Sequence, residues 1–88
     1  MAPTIVSPLT VRVLLFGSYA ESLGLDALEL ALSGPATIAD AVVRIRSLPG
    51  GGGIPLRPLC ALNLSQASMD APLSANDELA ILPPLAGG

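Results

Sequence analysis

Neither lysine nor histidine occurs in this sequence, cysteine occurs once and tryptophan not at all. Each gap removes a class of chemistry. Without histidine there is no side chain that titrates near neutrality as a general base, and the commonest metal ligand is missing. One cysteine allows neither an internal disulfide nor a metal-binding cysteine pair. Positive charge is limited to four scattered arginines, Arg12, Arg44, Arg46 and Arg57, against seven acidic residues. Phosphate neutralisation needs a cluster of basic groups, so nucleic acid is not an expected partner. No apolar run approaches the roughly 20 residues that cross a bilayer as a helix. The stretch "VLLFGSYA" has the look of an export signal, but no basic region precedes it and Arg12 interrupts it. The expectation is a cytoplasmic protein with no membrane, no metal and no catalytic residues of its own.

What the chain has is aliphatic carbon. Half of its 88 residues are hydrophobic, yet only Phe16 and Tyr19 are aromatic. A domain of this size must build its core from Leu, Val, Ile and Ala, with some apolar surface left over for a protein partner. Residues 1–9 carry Pro3 and Pro8 and read as a loose lead-in to a domain over 10–82. "TVRVLLF" (10–16) is a strand, with Val11, Val13 and Leu15 on one face and Arg12, Leu14 and Phe16 on the other. "GSYAESLG" (17–24) reads as a helical turn with Ser18 as cap, Glu21 as its capping-box partner and Gly24 as the stop. "LDALELAL" (25–32) alternates as a second strand, antiparallel to the first.

"TIADAVVRIRSLPG" (37–50) gives the clearest helix: Thr37 as cap, Asp40 in the first turn, and Ile38, Ala41, Val42, Ile45 and Leu48 on one face. Arg44 and Arg46 suit its solvated C-terminal end, where the dipole favours cations. The glycines at 50–53 follow a helix rather than a strand, and no lysine is present to complete a phosphate loop, so they read as a flexible connection. "PLCALNL" (58–64), "ASM" (67–69) and "ELAIL" (78–82) complete the strands, with Asn76 in a turn that takes a left-handed backbone. "ELAIL" is too apolar for an edge and is expected centrally or beside the first strand. The order predicts an α+β roll, a mixed sheet packed on one main helix.

The chain then runs "LPPLAGG". Pro83 and Pro84 cannot continue a ladder, and residues 83–88 are expected to form an extended tail. With Gly at 9 of 88 positions, a closing Gly-Gly arises by composition about once in a hundred chains. Extended, those six residues reach roughly 20 Å. Ala86, Gly87 and Gly88 form a slim probe for a site that excludes larger side chains. Its tip offers a single acyl group, the Gly88 carboxylate.

Here the residues resemble a known family. "VRVLLFGSYAESLG" at the front and "ALNLSQASMDAPLSANDELAILPPLAGG" at the back are similar to the small, sulfur-carrying subunit of molybdopterin synthase, a ubiquitin-like β-grasp protein. The resemblance implies that an adenylating, E1-like enzyme activates Gly88 with ATP and Mg. A sulfur donor would convert the adenylate to a thiocarboxylate, and the large synthase subunit would pass that sulfur to a pterin precursor. This chain would bind no cofactor itself. By position, Phe16 and Leu82 match apolar surface residues that face partners, and Pro83, Pro84 and Leu85 match the root of the tail. Three positions depart from the family pattern: Ala20 replaces an arginine, Gln66 an apolar residue, and Asn76 a glycine.

Several residues carry two readings. Cys60 is read as a buried packing residue rather than a sulfur-transfer thiol. Phe16 is either core or interface. Asp77 and Glu78 suit an activating enzyme, but turn chemistry accounts for Asp77. Sulfur carriers for thiamine or cysteine synthesis would share the fold and the diglycine, and the Pro-Pro pair with the long 33–57 segment favours the molybdopterin version. A non-catalytic ubiquitin-like binding module, its terminal glycines incidental, is the alternative from another class. A residue added after Gly88 separates the classes, being harmless only to the module.

Overall fold

Alternation of β-branched and polar residues from Thr10 onward makes β1, Ser7–Leu15, which turns at Phe16 into the short helix α1, Gly17–Leu23. β2, Ala27–Gly34, returns antiparallel, with Leu14 opposite Ala27 and Ser7 opposite Gly34. The main helix α2 spans Ile38–Arg46, and a tight 3-10 turn at Gly51–Gly53 leads to β3, Leu59–Leu62. β4, Ser65–Ala67, and β5, Glu78–Leu82, complete a sheet of order β2-β1-β5-β3-β4. The computed structural model describes residues 7–84. β5 runs parallel to β1 and antiparallel to β3, so the apolar "ELAIL" strand sits in the middle, as its composition requires.

One face of this sheet holds the core. Val11, Val13, Leu15, Leu30, Leu32, Cys60, Leu79 and Ile81 pack with Ile38, Ala41, Val42 and Ile45 of α2, all of them buried. α2 starts where it should: the Thr37 hydroxyl accepts from the Asp40 backbone, and the Asp40 carboxylate accepts from the Thr37 N–H at 2.8 Å. Two further orphan donors of its first turn, the N–H groups of Ile38 and Ala39, donate to the carbonyls of Ala71 and Met69. Helix start and late loop are thereby sewn together.

The structure corrects five expectations. β1 begins at Ser7, so residues 7–9 belong to the sheet rather than to a loose lead-in; residues 1–6 lie outside the described part. The cap of α1 lies two residues earlier than Ser18, and the helix starts at Gly17. Phe16 occupies the cap position with no side-chain bond, and Ser18 caps nothing, because the N–H groups of Tyr19 and Ala20 already donate to the Phe16 carbonyl. Gly24 does end the helix in a left-handed conformation, φ 72°. β4 lies at 65–67 rather than 67–69, because Asn63 and Leu64 both take positive φ and turn the chain immediately after β3.

The glycine run is packed, not loose. Gly51 is buried, and a β-carbon at Gly50 or Gly51 would collide with the carbonyl oxygens of Ser22 and Ile45 respectively. Arg46, expected in solvent, is half-buried and donates its Nε–H to the Ile54 carbonyl at 2.6 Å, fastening this turn to the end of α2; Arg44 is exposed as expected.

Candidate functional site

Among described residues the second face of the sheet has no helix on it. The register lines up Ala27, Leu14, Ala80, Ala61 and Gln66 in one row across all five strands. Next to it Arg12 stands opposite both Glu29 and Glu78, and on the other side Leu59 stands opposite Leu82. Among described residues this face is apolar at its tail end and charged at the other.

Where β5 ends, the apolar part deepens into a groove of about 630 Å³ lined by Phe16, Gly17, Ser18, Leu59, Leu82, Pro83 and Pro84. Phe16 is 44% exposed and Leu59 46%. Phe16 is therefore surface, not core, and of the two aromatic rings only Tyr19 is buried. The groove is shaped by a close crossing. Gly17 has φ 55°, and a β-carbon there would lie 3.1 Å from Pro83 Cγ, so a side chain at the start of α1 would be strained and would press on the tail root. The chain thus leaves β5 over a preformed apolar floor.

The far end of β5 is braced. Asn63 donates from Nδ2 to the Asp77 carboxylate at 3.0 Å and accepts the Glu78 N–H at 2.9 Å, while Asp77 also accepts the Ser74 N–H at 2.7 Å. Asp77 is spent on this turn, and Asn76 holds φ 69° as expected. Asp70 accepts from the Ser68 hydroxyl, which lowers its pKa. Cys60 is buried on the core face, where desolvation pushes its thiol pKa up to about 11. A thiol so protected is a poor nucleophile near neutral pH. Among described residues no three His, Cys, Asp or Glu side chains stand close enough to hold a metal ion.

Of the residues singled out from sequence, Phe16, Leu82, Pro83 and Pro84 are brought together in this groove. Leu85, Ala86, Gly87 and Gly88 lie outside the described residues. Ala20 is half-buried on α1 beside Glu21, Gly24, Leu25 and Asp26, away from the groove, and Gln66 is exposed on the short strand β4. Leu59 and Gly17 were missed. Leu59 had a signal: once Cys60 is inside, alternation turns its neighbour outward. Gly17 had none, since its partner Pro83 is distant in sequence.

A five-stranded mixed sheet, two helices and a C-terminal strand that exits over an open apolar face define a ubiquitin-like β-grasp protein. The chain belongs to the ThiS family, which it matches over residues 13–88. Among solved structures it is similar to small archaeal modifier protein 1 of Haloferax volcanii at 25% identity and a TM-score of 0.77, covering 90% of this chain and 99% of that one. The Methanosarcina acetivorans small archaeal modifier protein 1 matches at 23% identity and 0.72, covering 93% and 99%. A chain of the complex of subunits 1 and 2 of the Helicobacter pylori molybdopterin-converting factor matches at 20% and 0.65, covering 91% and 100%. No curated protein matches the sequence. The chain is a ubiquitin-like sulfur carrier or modifier of the ThiS family.

Proposed function

We propose that this chain is the sulfur carrier of molybdopterin synthesis, with the Gly88 carboxylate as its working group. The observation that carries the reading is the groove: exposed Phe16 and Leu59 and half-buried Leu82 line it with Pro83 and Pro84 at the point where the tail begins. A docking surface placed there lets a partner grip the body and receive the tail in one act, an intramolecular delivery that replaces a second encounter.

An adenylating enzyme holding ATP and Mg activates the tail. A carboxylate oxygen of Gly88 bonds to the α-phosphorus and pyrophosphate leaves. A sulfide-level donor then bonds to the carbonyl carbon and AMP leaves, giving a thiocarboxylate. In the large synthase subunit that sulfur passes to a pterin precursor. The catalytic groups belong to the partners, and the cytoplasm is where those partners would be met. Among described residues no helix is long and apolar enough to cross a membrane.

Three features support this version over a thiamine or cysteine carrier: the paired prolines, the long segment 33–57 and the likeness to the two-subunit Helicobacter pylori complex. The likeness to archaeal modifier proteins favours a second reading, in which the activated tail is joined to an amine of another protein.

Incubation with a cognate adenylating enzyme, ATP, Mg and sulfide is expected to exchange one oxygen for sulfur at Gly88, seen in the intact mass and mapped to the last peptide. Adding the large synthase subunit and a pterin precursor is expected to return the mass to its starting value as dithiolene forms. An unchanged mass with an enzyme proven active on another carrier overturns carriage. Conjugates to other proteins without pterin product select the modifier reading.

A further inference from the structure

The two edges of the sheet are finished differently. On one side β4 is three residues long. On the other, β2 runs eight residues, Ala27–Gly34, with neither proline nor bulge and Glu29 as its single charge. The hydrogen-bond parity of β2 follows from the register. Leu15 donates to the Asp26 carbonyl at 2.9 Å, so the pairs Val13–Leu28, Val11–Leu30 and Leu9–Leu32 exchange the bonds with β1. The N–H and C=O groups of Ala27, Glu29, Ala31 and Ser33 therefore point away from the sheet. Among described residues none of these eight groups has a partner.

We infer that the free edge of β2 pairs with the same edge of a second copy, antiparallel about a two-fold axis at Leu30. The edge is self-complementary in that register. Ala27 faces Ser33 of the other copy and Glu29 faces Ala31, so all four outward residues of each strand fall in hydrogen-bonded pairs. Leu28, half-buried in the monomer, gains Leu32 of the other copy as its cross-strand neighbour on the core side. On the open side the two Glu29 carboxylates lie diagonally, each directly opposite Arg12 on its own β1. A shift of one residue would leave the outward groups misaligned, so parity and not only shape sets the register.

A single strand-to-strand seam is a small surface beside the roughly 1,200 Å² of stable complexes, and the dimer is accordingly transient. β1 lies between it and β5, whose Leu82 lines the groove with Leu59. Both grooves stay open, and the antiparallel pairing sends the two β5 strands in opposite directions. Pairing thus covers a long open edge without competing with tail delivery.

Sedimentation of the full chain from roughly 10 µM to 1 mM, the range for weak association, is expected to show a monomer–dimer equilibrium. Ala31→Pro removes an outward N–H without touching the β1 ladder and should abolish it, with circular dichroism and melting reporting an intact fold. Ala31→Glu sets two like-charge pairs against Glu29 of the other copy, and Ala31→Arg two opposite-charge pairs. The dimer constant should weaken in the first and tighten in the second, each by roughly twofold to thirtyfold. A wild type that stays monomeric throughout, or a dimer indifferent to the sign of the charge at position 31, overturns the inference.

Discussion

The two faces of the sheet are built from the same aliphatic residue types and end in different states. On the α2 side Val11, Val13, Leu79 and Ile81 are fully enclosed. On the other side Leu14, Ala80 and Leu82 are half-covered, and Phe16 and Leu59 are open. The residue types alone do not separate these faces; a covering helix does. Carbon on the α2 face lowers the free energy of folding, because it leaves water when the chain folds. Carbon on the open face remains in water until a partner arrives, and its burial is then available to binding.

Substitutions should break the molecule along that division. Ile81→Ala, which opens a cavity against α2, is expected to cost about 2–5 kcal/mol of unfolding free energy by denaturant titration. A loss below half of the lower bound would mean that the α2 face is not the core.

The Cys60 thiol gives the next largest effect and probes the same face by pH. Its folded pKa is raised to about 11, so the native state keeps the proton after the unfolded chain has released it. Stability from this group is complete below the unfolded pKa and is lost as pH rises towards 11. The decline should reach about 2–3 kcal/mol. In Cys60→Ala, whatever its stability at neutral pH, that part of the alkaline slope should vanish. An identical slope in both proteins would show the thiol to be hydrated.

Removing the α2 cap with Thr37→Ala should cost about 1 kcal/mol, read from the melting midpoint. Leu59→Ser, on the open face, should change stability by less than about 0.5 kcal/mol. If Leu59→Ser unfolds the protein as Ile81→Ala does, the two faces do not differ and the division fails.

Much of this arrangement was legible because local signals agreed with the fold. The bounds of β5, Thr37 as the cap of α2 with Asp40 in its first turn, the buried stripe Ile38, Ala41, Val42 and Ile45, the stop at Gly24 and the left-handed Asn76 all follow from residue type and spacing. The errors fell where tertiary partners decide. Gly50 and Gly51 look loose in sequence because nothing local announces that the Ser22 and Ile45 carbonyls press on them. β4 was displaced because Leu64, 90% exposed, adopts φ 73°, a conformation its residue type does not advertise. The cap of α1 went astray because its first N–H groups turn back to the Phe16 carbonyl, leaving Ser18 nothing to do. At the candidate site, Phe16 stood open between core and interface and Leu82 came only from the family resemblance, whereas Leu59 joins them through its cross-strand pairing with Leu82.

The most direct trial of the division is the rate at which a cognate adenylating enzyme and sulfide convert Leu59→Ser to the thiocarboxylate, measured at carrier concentrations well below saturation. With the melting midpoint unchanged, the rate should fall about tenfold or more, as loss of one central apolar anchor does. A folded Leu59→Ser converted as fast as the wild type would contradict the assignment of partner recognition to the open face.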